Sequence, residues 1–149
     1  MAQEGTTEKA LARFASYLKR NHLKMTRERR LILREMLEDD SHLEAEDLLV
    51  RFRQRGEKVS RATIYRTFDL LVRAGLIEKS DFGHGHYHYE QSFGREHHAH
   101  MICQQCGAVI EFGSVELEDL QKRICAEHGF RPEKHSLQIF GTCSKCAGG

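Results

Sequence analysis

The sequence lacks the features that mark membrane and secreted proteins. No apolar run in its 149 residues approaches the roughly 18 residues of a membrane-spanning helix. The first residues, MAQEGTTEKALARF, contain no hydrophobic segment of the kind that directs secretion. We therefore expect a cytoplasmic protein without a membrane partner. In that compartment the five cysteines are better interpreted as thiols or metal ligands than as disulfides.

Proline is nearly absent, and internal repeats and low-complexity tracts are missing. The single proline, Pro132, is predicted to lie in a loop. Hydrophobic residues make up 40% of the chain and charged residues 30%, which predicts a globular protein with a packed core. The length allows one ordinary domain or two small ones.

The net charge of +1 hides an uneven distribution. Residues 1–80 contain 17 Lys and Arg against 13 Asp and Glu, a net of +4, whereas residues 81–149 contain 6 against 9, a net of −3. Eight of the ten histidines follow position 80. This split predicts an anionic partner for the first half and metal for the second.

Hydrophobic periodicity predicts amphipathic helices in the first half, at 7–20, 26–39, 43–56 and 60–75. Thr26 and Ser60 are candidate N-caps, and Gly75 is a candidate C-terminal stop. Extended runs at 76–80 and 86–90 flank a glycine-containing turn, which is typical of a β-hairpin. Helices followed by a hairpin in this order predict a winged helix-turn-helix domain.

The second half predicts a small α/β domain, with strands near 98–103, 108–112 and 135–141 and a helix near 114–128. Leu117, Leu120 and Ile124 are expected to form the inward face of that helix. The predicted class is α+β, with a winged-helix domain at 1–90, a hinge at 91–96 and the α/β domain at 97–149.

The fourth predicted helix carries polar and basic side chains outside its apolar stripe. An α-helix fits the major groove of DNA, where arginine contacts guanine edges and a tyrosine ring contacts the thymine methyl group. The candidate DNA-contacting residues here are Ser60, Arg61, Thr63, Tyr65 and Arg66. Lys24 and Arg27 are candidates for phosphate contacts. A solvated basic face is the alternative interpretation.

Two CxxC pairs, Cys103–Cys106 and Cys143–Cys146, are separated by 36 residues. Each pair can hold one side of a tetrahedral ion, and four thiolates suit structural zinc. Two disulfides or unlinked thiols are the alternative. The fifth cysteine, Cys125, is expected to be a small buried hydrophobe on the helix near 114–128.

A histidine-rich stretch, HHAH at 97–100, begins the second half. On a strand, alternate residues share a face, so His98 and His100 are expected to point the same way. Together with more distant candidates they predict a mixed nitrogen and oxygen site, suited to Fe(II), Mn(II) or Zn(II), which would tie the two domains together. The candidate ligands are His42, Glu90, His98, His100 and Glu111. For His42 the alternative is a surface or N-cap residue.

His97 is expected to point to the opposite face, where Glu118 and His135 are candidate partners for a further ion. A polar cluster without metal is an equally open interpretation of these three. His84, His86 and His88 alternate along the predicted hairpin, where an exposed wing tip is preferred to a set of metal ligands.

The sequence is less consistent with two other classes of function. A metalloenzyme also uses histidine and glutamate ligands, but no HExxH motif or nucleophile elbow is present. The arginine- and tyrosine-bearing helix would also have no purpose in a metalloenzyme. A metal buffer predicts no sequence-specific DNA binding.

From Leu23 to Cys146, the sequence resembles the ferric-uptake-regulator family of metal-dependent repressors. The resemblance is carried by LKMTRERRLIL, SHLEAEDL, SRATIYRTFDLLVRAGLI, HHAHMICQQCGAVIEF, AEHGF and HSLQIFGTCSKC. It implies a winged-helix DNA-binding domain, a hinge and an α/β dimerisation domain. The implied partners are an A·T-rich palindromic double-stranded DNA operator and a second copy of the chain, with dimer against tetramer left open.

The resemblance also implies roles for individual residues. Tyr65 and Arg66 match the recognition-helix pair, and Lys24 matches a lysine that reaches the minor groove. The four paired cysteines match structural zinc ligands. The five candidate ligands of the mixed nitrogen and oxygen site match the family's regulatory site. His97, Glu118 and His135 match three ligands of a further site. The fourth ligand of that site, an Asp in the family, is replaced by Ala99.

The sensed metal is inferred from the carboxylates. Related peroxide sensors have Asp at the positions of Glu90 and Glu111, and both are Glu here. This favours an iron-responsive repressor without enzymatic activity, with Fe(II) replaceable by Mn(II) or Zn(II). Peroxide or zinc sensing within the same family is the alternative.

Overall fold

The computed structural model describes residues 2–39, 42–83, 85–94 and 98–148. The chain divides into two compact units, Met1–Arg95 and Glu96–Gly149. Helices dominate the first and a three-stranded sheet the second, so the predicted α+β class is confirmed. The division at 1–90, 91–96 and 97–149, with a hinge at its centre, stays a prediction. Within the described residues, none of the helices combines the length and apolarity that a membrane crossing requires.

The first unit contains α1 (Ala2–Arg20), α2 (Arg27–Glu38), α3 (Ala45–Gln54) and α4 (Arg61–Arg73). The predicted N-caps form, because the Thr26 side chain accepts a hydrogen bond from the Arg29 N–H and the Ser60 side chain from the Thr63 N–H. Gly75 follows α4 with a φ of 75°, a conformation that glycine adopts without strain.

A hairpin of β1 (Ile77–Asp81) and β2 (Tyr87–Gln91) follows α4, with Ile77 paired to Gln91. Leu43 joins it as an isolated antiparallel bridge to Tyr89. The Leu43 N–H donates to the Tyr89 carbonyl at 2.8 Å, and the Tyr89 N–H donates to the Leu43 carbonyl at 2.7 Å. Leu43 is therefore extended, which is why α3 begins at Ala45 rather than at the predicted 43.

The core of the first unit lies between the four helices and the hairpin. Phe14, Phe52 and Phe68 are fully buried there, and the Phe68 and Tyr89 rings lie 4.3 Å apart between centroids. Burial raises the pKa of Tyr89 to about 12. This packing fixes β2 against α4, and so sets where the residues flanking Tyr89 lie.

A buried ionic network holds α2 to α3. Glu35 is 6% exposed, and its carboxylate accepts hydrogen bonds from Arg55 at 2.7 and 2.9 Å. Arg51 lies 3.4 Å from the same carboxylate and 2.7 Å from Asp39. Hydrogen bonds from Arg55 and Arg51 hold the pKa of Glu35 below its usual value, against the opposing effect of burial.

The second unit contains β3 (Ala99–Cys103), β4 (Val109–Phe112), α5 (Val115–Glu127), β5 (Gln138–Gly141) and α6 (Ser144–Ala147). The sheet order is β4-β3-β5, with β3 antiparallel to β4 and parallel to β5. The Ser114 side chain caps α5 by accepting from the Leu117 N–H. The central strand β3 therefore carries His100 and Cys103, and His98 immediately precedes it.

The prediction that Leu117, Leu120 and Ile124 face inward is wrong for the single chain. These side chains are 36%, 39% and 46% exposed, and α5 has no buried residue. Ile110 and Ile139, on the two outer strands of the sheet, are each 48% exposed. A surface with this many exposed apolar side chains is typical of an interface with another chain.

Candidate functional site

The four paired cysteines meet at one end of the sheet in the second unit. Cys103 ends β3 opposite Gly141, which brings the Cys143–Cys146 pair beside Cys103 and Cys106. The four sulfur atoms lie within 4.8 Å of one another, and those of Cys106 and Cys143 are 3.7 Å apart. A tetrahedron with zinc–sulfur bonds of about 2.3 Å has edges of about 3.8 Å, so the arrangement fits zinc.

The electrostatics of this group favour a cation. Hydrogen bonds from the backbone of Cys106 and Cys143 lower the pKa of the Cys103 thiol to about 6, and the Cys143 N–H lies 3.3 Å from its sulfur. The backbone of Cys146 likewise lowers the pKa of Cys143. Neighbouring sulfurs of Cys143 and Cys106 raise the pKa of Cys146 to about 12. A divalent cation would relieve the repulsion that opposes a complete set of thiolates.

The regulatory candidates of the first unit, His42 and Glu90, lie side by side. Their Nε2 and Oε2 atoms are 3.5 Å apart. The Leu43–Tyr89 bridge explains this, because residues 42 and 90 flank a directly opposed pair and share the face opposite to the buried Leu43 and Tyr89 side chains. The His42 imidazole packs against the Phe82 ring in a T-shaped geometry, with 5.2 Å between the ring centroids.

The regulatory candidates of the second unit also form a group. His100 is directly opposite Glu111 in the β3–β4 register, and His98 Nε2 lies 3.6 Å from Glu111 Oε1. The His98 and His100 rings are 5.1 Å apart between centroids, as expected for alternate residues on one face. Two imidazoles and a carboxylate therefore converge in this unit, and each unit carries part of the mixed set.

The third candidate set is incomplete in the described chain. His97 lies outside the described residues. Glu118 and His135 both line a small cavity of about 20 Å³ in the second unit, together with Ala99. Ala99 contributes a methyl group to this cavity and no carboxylate.

Gln121, which was not predicted as a site residue, also lines this cavity. Its amide oxygen is shielded from solvent and has no hydrogen-bond partner within the described residues. The signal was available, because Gln121 is three residues after Glu118 on α5 and such residues share a helix face. The Gln121 amide therefore lines the same cavity as Glu118 and His135.

The DNA-reading candidates lie at the exposed start of α4. Tyr65 is 44% exposed, and Arg66 donates a hydrogen bond to the Ala62 carbonyl at 3.3 Å. Arg61 pairs with Glu46 through two hydrogen bonds of 2.5 and 3.1 Å, which lower the pKa of Glu46. Exposed ion pairs of this kind are weak in water, so Arg61 can exchange Glu46 for a phosphate or base.

A polar groove adjoins this helix start. It has a volume of about 420 Å³ and is lined by Thr26, Glu28, Arg29, Lys58, Ser60, Thr63, Arg66 and Thr67. Lys24, two residues before Thr26 in the sequence, is exposed. Arg27 pairs with Glu57 at 2.7 Å. Ser60 and Thr63 are joined by a 2.9 Å hydrogen bond between their hydroxyl groups. Three cations line this groove, which suits a phosphate backbone.

Comparison with known proteins settles the family. The ferric uptake regulator family matches residues 20–140, which include the winged helix, every regulatory candidate and the first cysteine pair. This chain belongs to the ferric uptake regulator family. Its members are transcription regulators, and the predicted metal-responsive, DNA-binding, dimeric regulator of iron uptake is confirmed.

Individual family members extend the comparison over nearly the whole chain. The ferric uptake regulation protein of Campylobacter jejuni is 36% identical over 138 residues, which cover 91% of this chain and 87% of the relative. The Helicobacter pylori ferric uptake regulator, described as having three functional metal binding sites, matches with a TM-score of 0.80 at 27% identity, covering 95% and 93% of the two chains. The Pseudomonas aeruginosa ferric uptake regulator, solved with manganese, matches with a TM-score of 0.76 at 34% identity, covering 87% and 96%.

Proposed function

We propose that this family member is an Fe(II)-responsive repressor of iron uptake and homeostasis genes, located in the cytoplasm and without enzymatic activity. The observation that carries the proposal is that the candidate ligands of the regulatory site are divided between the two units. His42 and Glu90 lie together in the first unit, and His98, His100 and Glu111 lie together in the second. Either group alone would leave several positions of the ion open to water, whereas both together nearly complete a mixed nitrogen and oxygen set, so we propose that both serve one ion.

His42 and Glu90 from the first unit, with His98, His100 and Glu111 from the second, would hold a divalent cation, whose positive charge would favour their approach to one point. His42 and Glu90 then fix the DNA-binding unit, because the Leu43–Tyr89 bridge couples them to the core. His98 and His100 fix the second unit through β3. In a dimer, this arrangement sets the spacing of the two α4 helices to match successive operator half-sites.

The choice of Fe(II) rests on the carboxylates and on the donor set. Glu90 and Glu111 stand where the related peroxide sensors carry Asp, and the set contains no thiol that would favour zinc. Mn(II) and Zn(II) are expected to occupy the same ligands when Fe(II) is withheld. We assign zinc to Cys103, Cys106, Cys143 and Cys146 as a structural ion.

The dimer is proposed to form through the second unit. Leu117, Leu120 and Ile124 on α5 are exposed in the single chain. Covering them with the same surface of a second copy would bury an apolar patch that one chain leaves in water.

Replacing Arg66 with alanine is expected to weaken binding to an operator by roughly 5- to 150-fold, because a lost base contact costs about 1–3 kcal/mol. The measurement is fluorescence anisotropy under anaerobic conditions with Fe(II), on a duplex selected from a random pool by the wild-type chain. Arg73→Ala is the matched control, since Arg73 is exposed at the other end of the same helix. Equal loss in both variants would show general charge attraction rather than reading by α4.

Replacing Ala99 with aspartate is expected to strengthen metal binding at the third set, to which we assign His97, Glu118 and His135. Ala99 lines the cavity with Glu118 and His135, so the new carboxylate would enter it. Without metal, an added buried charge should destabilise the second unit. Thermal melts with and without Zn(II) test this, and a zinc-induced rise in Tm no larger than that of wild type would contradict it.

A further inference from the structure

The first unit contains a second group of metal-ligand side chains, outside the regulatory set. Glu44, His86 and His88 offer ligand atoms that all lie within 4.8 Å of one another. From these residues we infer a further metal site that takes a zinc-class divalent cation and lies within the DNA-binding unit. The sequence predicted an exposed wing tip for His84, His86 and His88, because nothing in it placed Glu44 beside them. His84 lies outside the described residues.

The distances suit two nitrogen ligands and one oxygen. His86 Nε2 lies 2.7 Å from Glu44 Oε1, and His88 Nε2 lies 3.9 Å from the same oxygen. A tetrahedral zinc site with bonds of about 2.0–2.1 Å has edges of about 3.3 Å. The shorter pair must open by about 0.6 Å and the longer pair must close by a similar amount. Both movements lie within the reach of side-chain rotation.

The supports of the three ligands come from different parts of the fold. Glu44 is the N-cap residue of α3, and its backbone N–H donates to the Asp47 carboxylate at 2.9 Å. His88 lies in β2, where its ring packs against the buried Phe82 at 5.0 Å between centroids. His86 precedes the strand, and its ring lies 5.1 Å from that of His88. Two ligands are thus held in place, while the third can adjust.

The Leu43–Tyr89 bridge explains why Glu44 and His88 meet. Residues 44 and 88 flank the bridged pair on one side, just as residues 42 and 90 flank it on the other. All four share the face opposite to the buried Leu43 and Tyr89 side chains. The inferred site is therefore about 7 Å along the same face from His42 and Glu90, which is two residues of a strand.

The accessibility of the group is suited to an exchangeable ion. The side chains of His86 and Glu44 are 48% and 33% exposed, whereas that of His88 is 14% exposed. Three protein ligands leave a fourth position for water. A cation here would tie the β1–β2 hairpin to the start of α3, and would add positive charge to the unit that contacts DNA.

The test uses the full chain with its structural zinc retained, in a His98→Ala background that removes one ligand of the proposed iron site. Zn(II) uptake is counted against a chromophoric chelator for this background and for His86→Asn, His88→Asn and Glu44→Gln added to it. Each added substitution is expected to lower the number of bound zinc ions by one per chain. His22→Asn is the matched control, because His22 is exposed in the same unit and its φ of 58° is one that asparagine tolerates.

A second measurement separates a metal site from an ion pair. Zn(II) should raise the Tm of the His98→Ala chain more than it raises the Tm of its His86→Asn derivative. If the substitution removed only an ion pair, it would lower the Tm by the same amount with and without Zn(II). An unchanged zinc count in the three variants, or an equal loss in His22→Asn, would overturn the inference. The proposed iron response does not depend on this result, since it uses other ligands.

Discussion

Replacing Cys143 with serine is expected to remove the structural zinc and unfold the Glu96–Gly149 unit. Zinc bound by four thiolates contributes about 10–16 kcal/mol of folding free energy in small domains, which matches or exceeds the whole stability of such a domain. The second unit has little else to replace it, because α5 buries no residue in the single chain. Zinc content, circular dichroism melts and sedimentation should show loss of metal, an early transition and loss of the dimer.

Cys125→Ser is the matched control for this experiment. Cys125 lies on α5, is half-buried and belongs to none of the metal-ligand groups found among the described residues. It should keep its zinc and its dimer. A Cys143→Ser chain that lost zinc but kept the melting transition of the second unit would contradict the structural assignment.

Acidification should act on the same site. A thiol whose pKa is lowered in the folded chain contributes stability above its unfolded pKa and loses that contribution as the pH falls through its folded pKa. For Cys103 that folded pKa is about 6. Because bound zinc holds its thiolate ligands unprotonated, zinc release is therefore expected on acidification at a pH below this value.

Replacing His98 with alanine is expected to abolish the effect of Fe(II) or Mn(II) on operator binding. His98 would contribute from the second unit to an ion that also binds His42 and Glu90 in the first. A ligand that shifts an equilibrium from 1:99 to 99:1 must prefer one state by about 5.5 kcal/mol. Loss of a ligand that connects the two units should remove most of that preference, while the metal-free affinity for the operator should stay unchanged.

The measurement is operator affinity with and without Fe(II) or Mn(II), for the wild type, His98→Ala and the control His128→Ala. His128 is an exposed histidine of the same unit, at the end of α5, and lies outside the metal-ligand groups of the described residues. An unchanged metal dependence in His98→Ala would refute the proposed coupling of the two units.

Local signals in the sequence were strong enough to predict most of the fold. Thr26 and Ser60 cap helices as expected, because an N-cap depends on its own side chain and an N–H group two or three residues later. The boundary of α3 was missed, because it is set by the pairing of Leu43 with a strand almost fifty residues later. The buried position of Glu35 was missed for the same reason, since its arginine partners lie on another helix.

By itself, the sequence determined the chemical types of the ligands, their division between an arginine-rich and a histidine- and cysteine-rich half, and the family. These depend on composition, spacing and local periodicity, which the chain carries before it folds. Only the tertiary structure decided which ligands meet. Long-range strand pairing placed Glu44 beside His86 and His88. The packing of the second unit left the apolar face of α5 exposed in the single chain. Neither could be predicted from the sequence, because contacts between distant segments have no local signature in it.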